Sequence, residues 1–124
     1  MSGIRKEIDD ENDVHLLVET FYDRVRNDDL LGPVVESKIQ DWSQHLDTMR
    51  RFWQSVLFKL RTYEGTPFSN HENLPLNNPH FYRWVTLFNQ TVDELFVGTL
   101  AAEAKFYALN TAEVFRNRMS SRRF

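Results

Sequence analysis

The stretch SNHENLPLNNPHFYRW, residues 69–84, places a histidine between two turn-forming clusters and ends in an aromatic segment. Asn78-Pro79 predicts the start of a helix, because asparagine is a favoured N-cap and proline fits the first helical turn. His71 lies before that start, too close to turn residues for the middle of a long helix. Its role therefore depends on what the rest of the chain brings beside it.

Outward from this stretch, the chain predicts an all-α fold. Apolar residues recur at helical spacing in four segments, which run from Val14 to Val25, from about Asp41, from Asn78-Pro79 to Gly98, and from Thr99 onward. No segment alternates polar and apolar residues over the length of a strand. We expect one domain over residues 1–124 with its core at about 14–119, a corner at Gly32-Pro33, and flexible charged N-terminal and basic C-terminal ends.

Composition excludes several classes of protein. The net charge is −3, which argues against general nucleic-acid binding, and no apolar run is long enough to span a membrane. The chain has no cysteine, and its first residues are charged and lack the apolar core of a signal peptide. We therefore expect a cytoplasmic protein without disulfides. Ten Phe, four Tyr and three Trp can build a wide apolar interior or line a cavity for a flat apolar group.

Four side chains that carry a polar ring atom or hydroxyl group are predicted to point toward the interior from separate segments. They are Tyr22, His45, His71 and Trp84. Each has an ordinary structural explanation when taken alone, as a core edge, a boundary histidine, a turn cap or a core tryptophan. A shared ligand would satisfy all four together. The connection over residues 61–77 also exceeds the roughly two to eight residues usual between bundle helices, which favours a functional role for it.

Motifs along the chain resemble those of the truncated globins, and within them group III. They are FYDRV (21–25), LLGP (30–33), QHLDTMRRFW (44–53), YEGTPFSNHENLP (63–75), HFYRWVTLF (80–88) and, more weakly, AKFYALNTAEVF (104–115). Together they cover about residues 14–119. The glycine pairs of the other two truncated-globin groups are absent, which favours group III.

The resemblance implies a two-over-two helical sandwich around one haem b, iron protoporphyrin IX. It implies that His71 is the proximal iron ligand, which leaves one coordination position open to dioxygen, nitric oxide or another diatomic ligand. Tyr22 and Trp84 are then the distal hydrogen-bond donors, His45 stands at the distal entrance, and Met49 faces the ligand. The resemblance and the apolar stripes place further residues in the haem pocket: Phe21, Phe52, Trp53, Tyr63, Leu74, Phe81 and Phe88.

Two positions depart from the pattern. Val34-Val35 follow the LLGP motif, where the family leads us to expect an aromatic residue against the haem. Thr48 stands where a basic residue often meets a haem propionate. Arg50, Tyr63 and His80 are the alternatives for that contact.

Three functional hypotheses follow. Two distal donors would slow the release of dioxygen, which favours ligand chemistry over transport: nitric oxide oxidation or peroxidase-like reduction. Because the chain has no flavin or nicotinamide motif, such an enzyme would need a separate reductase. The second hypothesis is a haem-based oxygen sensor or sequestering protein that acts through a partner. The third is a helical interaction module whose histidines are structural. The sequence leaves the oligomeric state open.

Overall fold

The computed structural model describes residues 5–59 and 78–121. In chain order its elements are β1 (Lys6–Glu7), α1 (Glu11–Asn27), α2 (Gly32–Lys38), α3 (Trp42–Phe58), α4 (Asn78–Leu95), β2 (Phe96–Val97) and α5 (Thr99–Ser121). Helices dominate, and the all-α prediction is confirmed. Within these ranges no helix combines the length and the apolar character needed to cross a bilayer. The predicted connection over residues 61–77 lies outside the described residues.

A reciprocal cap and an apolar face define α1. The Asp10 side chain accepts the backbone N–H of Asp13, and the Asp13 carboxylate accepts that of Asp10. This capping box satisfies two donors that a helix start otherwise leaves unpaired. The apolar stripe predicted from the sequence is buried along its whole length: Val14, Leu17, Val18, Phe21, Tyr22 and Val25.

The third helix begins where its cap predicts. The Asp41 carboxylate accepts the backbone N–H of Gln44 at 3.1 Å. The helix buries Met49, Trp53 and Leu57 and ends at Lys59, which has a left-handed φ of 59°.

The four long helices form two layers. Helices α1 and α3 pack together, helices α4 and α5 pack together, and the pairs meet through α1 on α4 and α3 on α5. Helix α5 turns small residues toward the others, namely Ala101, Ala104, Ala108 and Ala112. Small side chains at a helix contact permit a short distance between the axes. The arrangement is the two-over-two sandwich predicted from the sequence.

The corner at Gly32-Pro33 is a short helix rather than a simple turn. Helix α2 has seven residues and carries Pro33 in its first turn, where the missing N–H costs nothing. A sequence that predicts a corner can therefore also start a helix. Gly32 lies against α1, because a Cβ at that position would stand 2.6 Å from the carbonyl oxygen of Arg26.

A buried carboxylate fixes this corner. Asp28 accepts the backbone N–H groups of Leu30 and Leu31, each at 3.0 Å, and pairs with Arg83 of α4 at 2.7 Å. Burial disfavours the charged form, but these hydrogen bonds outweigh it and lower the pKa of Asp28.

The described chain packs on the body soon after it begins at residue 5. Strand β1 pairs in parallel with β2, and Ile8 is only 2% exposed. Two strands of two residues and one isolated apolar side chain leave no periodic pattern, which explains why the sequence does not reveal them. Gly98 permits the turn after β2, since its φ is +97° and a Cβ would meet the side chain of Glu7.

We expect Asp13→Asn to destabilise the protein at neutral pH by about 2 kcal/mol. Burial raises the pKa of Asp13, but hydrogen bonds from the Lys6 ammonium and the N–H groups of Asp9 and Asp10 outweigh it and lower the pKa to about 2 from 3.8. A lowered folded-state pKa stabilises the fold above about pH 4, and this contribution disappears as the pH falls toward 2.

Urea unfolding at several pH values measures the effect. The difference between the parent and Asp13→Asn should be largest at pH 7 and vanish near pH 2. Asp29→Asn, at an exposed carboxylate, is the control and should change stability by less than about 0.5 kcal/mol. A pH-independent difference for Asp13→Asn would contradict the prediction.

Candidate functional site

A cavity lies between the two helical layers. It holds about 760 Å³ of space not filled by protein atoms, part of it open to solvent. Six of the residues predicted for the site line it: Tyr22, Met49, Phe52, Trp53, Phe81 and Trp84.

Tyr22 brings a polar group into this apolar cavity. Helix α1 turns it inward one residue after Phe21, and it is 4% exposed. Burial raises the pKa of the phenol well above its usual range, so the group stays a neutral O–H donor. No described residue forms a hydrogen bond with that hydroxyl. A molecule in the cavity can therefore accept one.

His45 lies beside Tyr22 and is not part of the cavity lining. The two ring centroids are 5.0 Å apart with the planes nearly perpendicular. Met49, one helical turn further along α3, does line the cavity. The structure thus brings His45 next to Tyr22, the predicted distal donor, at the start of the helix that forms one cavity wall.

An aromatic stack supports the two tryptophans of the site. Phe88 is stacked on Trp53, with centroids 4.9 Å apart, and on Trp84, with centroids 5.8 Å apart. Phe21 meets both Phe88 and Trp84 edge-on, at 5.1 and 5.4 Å. Phe21 and Phe88 therefore do not line the cavity. They back the side chains that do, and their predicted contact with haem stays a prediction.

Three predicted site residues lie outside the described residues. They are His71, Tyr63 and Leu74. The proposed proximal side therefore rests on the sequence alone.

The cavity also includes residues that the sequence analysis did not assign to the distal ligand site or to the haem-pocket wall. They are Val25, Leu31, Val35, Ile39, His80, Thr111, Ala112 and Phe115. Helix α2 was not predicted, and α5 contributes small or polar side chains, so apolar periodicity gives no signal for most of them. Val35, where an aromatic residue was expected, lines the cavity, and Phe115 reaches the same cavity from α5.

Of the three alternatives for a propionate contact, only His80 is shown to line the cavity. Arg50 lies in a separate polar cleft between α1 and α3, where it donates to His15 Nδ1 at 2.6 Å and pairs with Asp47. Tyr63 is outside the described residues.

Comparison with known proteins identifies the family of this chain. The model of the bacterial-like globin family matches residues 6–118. The chain belongs to the bacterial-like globins. Membership of a globin family implies a haem cofactor and the binding of small diatomic ligands.

A related sequence and a solved structure refine the comparison. This globin is 32% identical over 82 residues to the group 3 truncated hemoglobin of Campylobacter jejuni, and the alignment spans 62% of this chain and 65% of the relative. The crystal structure of a group III truncated hemoglobin from Campylobacter jejuni matches with a TM-score of 0.81 at 25% identity, over 94% of this chain and 95% of that one. The resemblance to group III truncated globins and the predicted fold are confirmed.

The residues around the cavity of this globin fit a haem. Aromatic and aliphatic side chains from both layers line the cavity, and this is the chemistry that a flat apolar ring requires. The Tyr22 hydroxyl, buried with no described partner, is the polar group that such a site needs on its ligand side.

We expect Phe88→Ala to lower the free energy of unfolding by about 3–5 kcal/mol, because the change leaves a void between Trp53 and Trp84. Phe88 is 1% exposed. Chemical denaturation measures the loss. Tyr82→Ala, on the same helix at 60% exposure, is the matched control and should stay within about 0.5 kcal/mol of the parent. Equal effects at the two positions would argue against the supporting role of the stack.

Proposed function

We propose that this globin binds haem b and holds dioxygen and related diatomic ligands at a single iron site, for ligand chemistry rather than transport. The observation that carries the proposal is the Tyr22 hydroxyl. It is a neutral donor on the wall of an apolar cavity, and no described residue accepts its hydrogen bond. A donor on the wall of an apolar cavity can give its hydrogen bond to a molecule held there, which favours a ligand that accepts from it.

Trp84 is the second proposed donor. It reaches the cavity from α4, whereas Tyr22 reaches it from α1, and Phe21 and Phe88 hold the Trp84 ring. A donor that is held in place before the ligand arrives needs no reorganisation to stabilise negative charge on the ligand. Two such donors would retain dioxygen for longer than a transport protein requires.

His71 is proposed to hold the iron. A haem iron held by one histidine keeps a coordination position for a diatomic ligand. The sequence has no cysteine, so the haem cannot be attached through thioether bonds, which supports haem b. His80, which lines the cavity, is the proposed partner for a propionate.

The proposed chemistry is nitric oxide oxidation or peroxidase-like reduction. Long retention of dioxygen gives time for a second reactant to reach it. A repeating cycle requires electrons, and the sequence has no flavin or nicotinamide motif. The proposal therefore includes a separate reductase as partner.

The absorption spectrum of the purified protein tests the haem site. We expect a strong Soret band, and we expect His71→Ala to lose the band or shift it to that of a haem without its protein ligand. His15→Ala is the matched control, because His15 lies in the polar cleft away from the cavity. A colourless protein that takes up no added haem would overturn the proposal.

Dioxygen release after rapid mixing tests the two donors. Tyr22→Phe and Trp84→Leu should each release dioxygen faster by about 5- to 150-fold, which corresponds to the loss of a buried hydrogen bond of about 1–3 kcal/mol. Tyr82→Phe removes an exposed hydroxyl and should leave the rate unchanged. Parental rates in both donor variants would refute the donor assignment while leaving haem binding intact.

A further inference from the structure

Trp42, the first residue of α3, completes an aromatic cluster at the distal side. Its ring centroid lies 5.8 Å from that of His45 and 6.2 Å from that of Tyr22, edge-on in both cases. With the 5.0 Å contact between His45 and Tyr22, each of the three rings touches the other two. Of the three rings only Tyr22 lines the cavity, so Trp42 and His45 pack against its ring from outside the cavity lining.

A cation–π contact with Arg26, itself paired with Glu36, holds one face of the Trp42 ring. The Arg26 guanidinium carbon lies 4.3 Å from the centroid of the Trp42 ring. The Nε of Arg26 donates to the Glu36 carboxylate at 2.6 Å. Arg26 belongs to α1 and Glu36 to α2, so two further helices fix the ring at the start of α3.

The Trp42 indole N–H has no partner in the described part of the chain, although it is screened from water. A ring needed only for packing would not have to carry this donor, because phenylalanine or leucine fills such a place without leaving a polar group unpaired. The unpaired donor makes the closed arrangement of the cluster less stable. Any rearrangement that admits water or a ligand beside it gains a hydrogen bond.

We propose that Trp42 is a positioning residue that holds the His45 ring against Tyr22 and, because the family resemblance places His45 at the distal entrance, controls the access of ligands to the cavity. His45 can turn away from Tyr22 only if the Trp42 ring yields, and Arg26 with Glu36 resists that movement. This inference rests on the proposed function, because it assigns a role at the same site. It concerns the rate of access and not the retention of a bound ligand.

Flash photolysis of the carbon monoxide form of the reduced, haem-loaded protein measures access directly. Arg26→Met removes the cation and keeps the length of the side chain, and we expect carbon monoxide to associate about two- to five-fold faster. Trp42→Leu should accelerate association at least as much. Lys38→Met is the matched control: it removes one exposed positive charge from the end of α2, leaves the contact between Arg26 and Trp42 in place, and should leave the rate unchanged.

A double substitution separates positioning from a general loss of packing. If Trp42 acts through His45, adding Trp42→Leu to His45→Leu gives no further acceleration. The proposal would be overturned if the accelerations of carbon monoxide association by His45→Leu and Trp42→Leu were fully additive. A parental association rate in Arg26→Met or in Trp42→Leu would also overturn it. Arg26 is exposed, so its variant folds and keeps the test decisive even if Trp42→Leu is unstable. A parent protein that binds no haem would instead refute the proposed function.

Discussion

The position of Phe88 between two tryptophans is the constraint on which the site depends. Its ring joins α3 to α4 through Trp53 and Trp84, and Phe21 adds α1 from the edge. Because both tryptophans also face the cavity, the packing that holds the layers together also orients the cavity walls. The same contacts therefore determine both the stability of the fold and the geometry of the cavity, so a substitution that alters one also alters the other.

Polar groups are kept apart from this apolar centre. Inside, the Tyr22 hydroxyl is held neutral by burial. Toward the edges, Arg24 of α1 donates to the Thr91 hydroxyl and pairs with Glu94 of α4, and Asp28 pairs with Arg83. Charges thus tie the layers at their margins and stay out of the cavity lining. The cavity keeps a low dielectric, in which a single donor interacts strongly with a ligand.

The sequence predicts the long helices well because caps and apolar stripes are local signals. Asp41 and Thr99 mark helix starts to within a residue, and the stripe of α1 is buried as expected. It predicts the site only in part. Periodicity identifies the buried face of a helix, but not which residues on that face meet a cavity and which meet another helix. Trp53 and Phe88 belong to equally apolar stripes, yet only Trp53 reaches the cavity. Helix α2 and the contact of Ile8 depend on tertiary packing, which no local pattern records.

The alanines of α5 have a consequence for how such a protein can change. Ala112 borders the cavity, so part of the room for a ligand is made by side-chain volume that is missing there. A larger residue at this one position would shrink the chamber without moving the aromatic rings on the opposite layer. Ala112 and the proposed donors Tyr22 and Trp84 thus lie on separate helices. Evolution, or a designer, can alter which molecules fit while leaving the groups that hold them untouched.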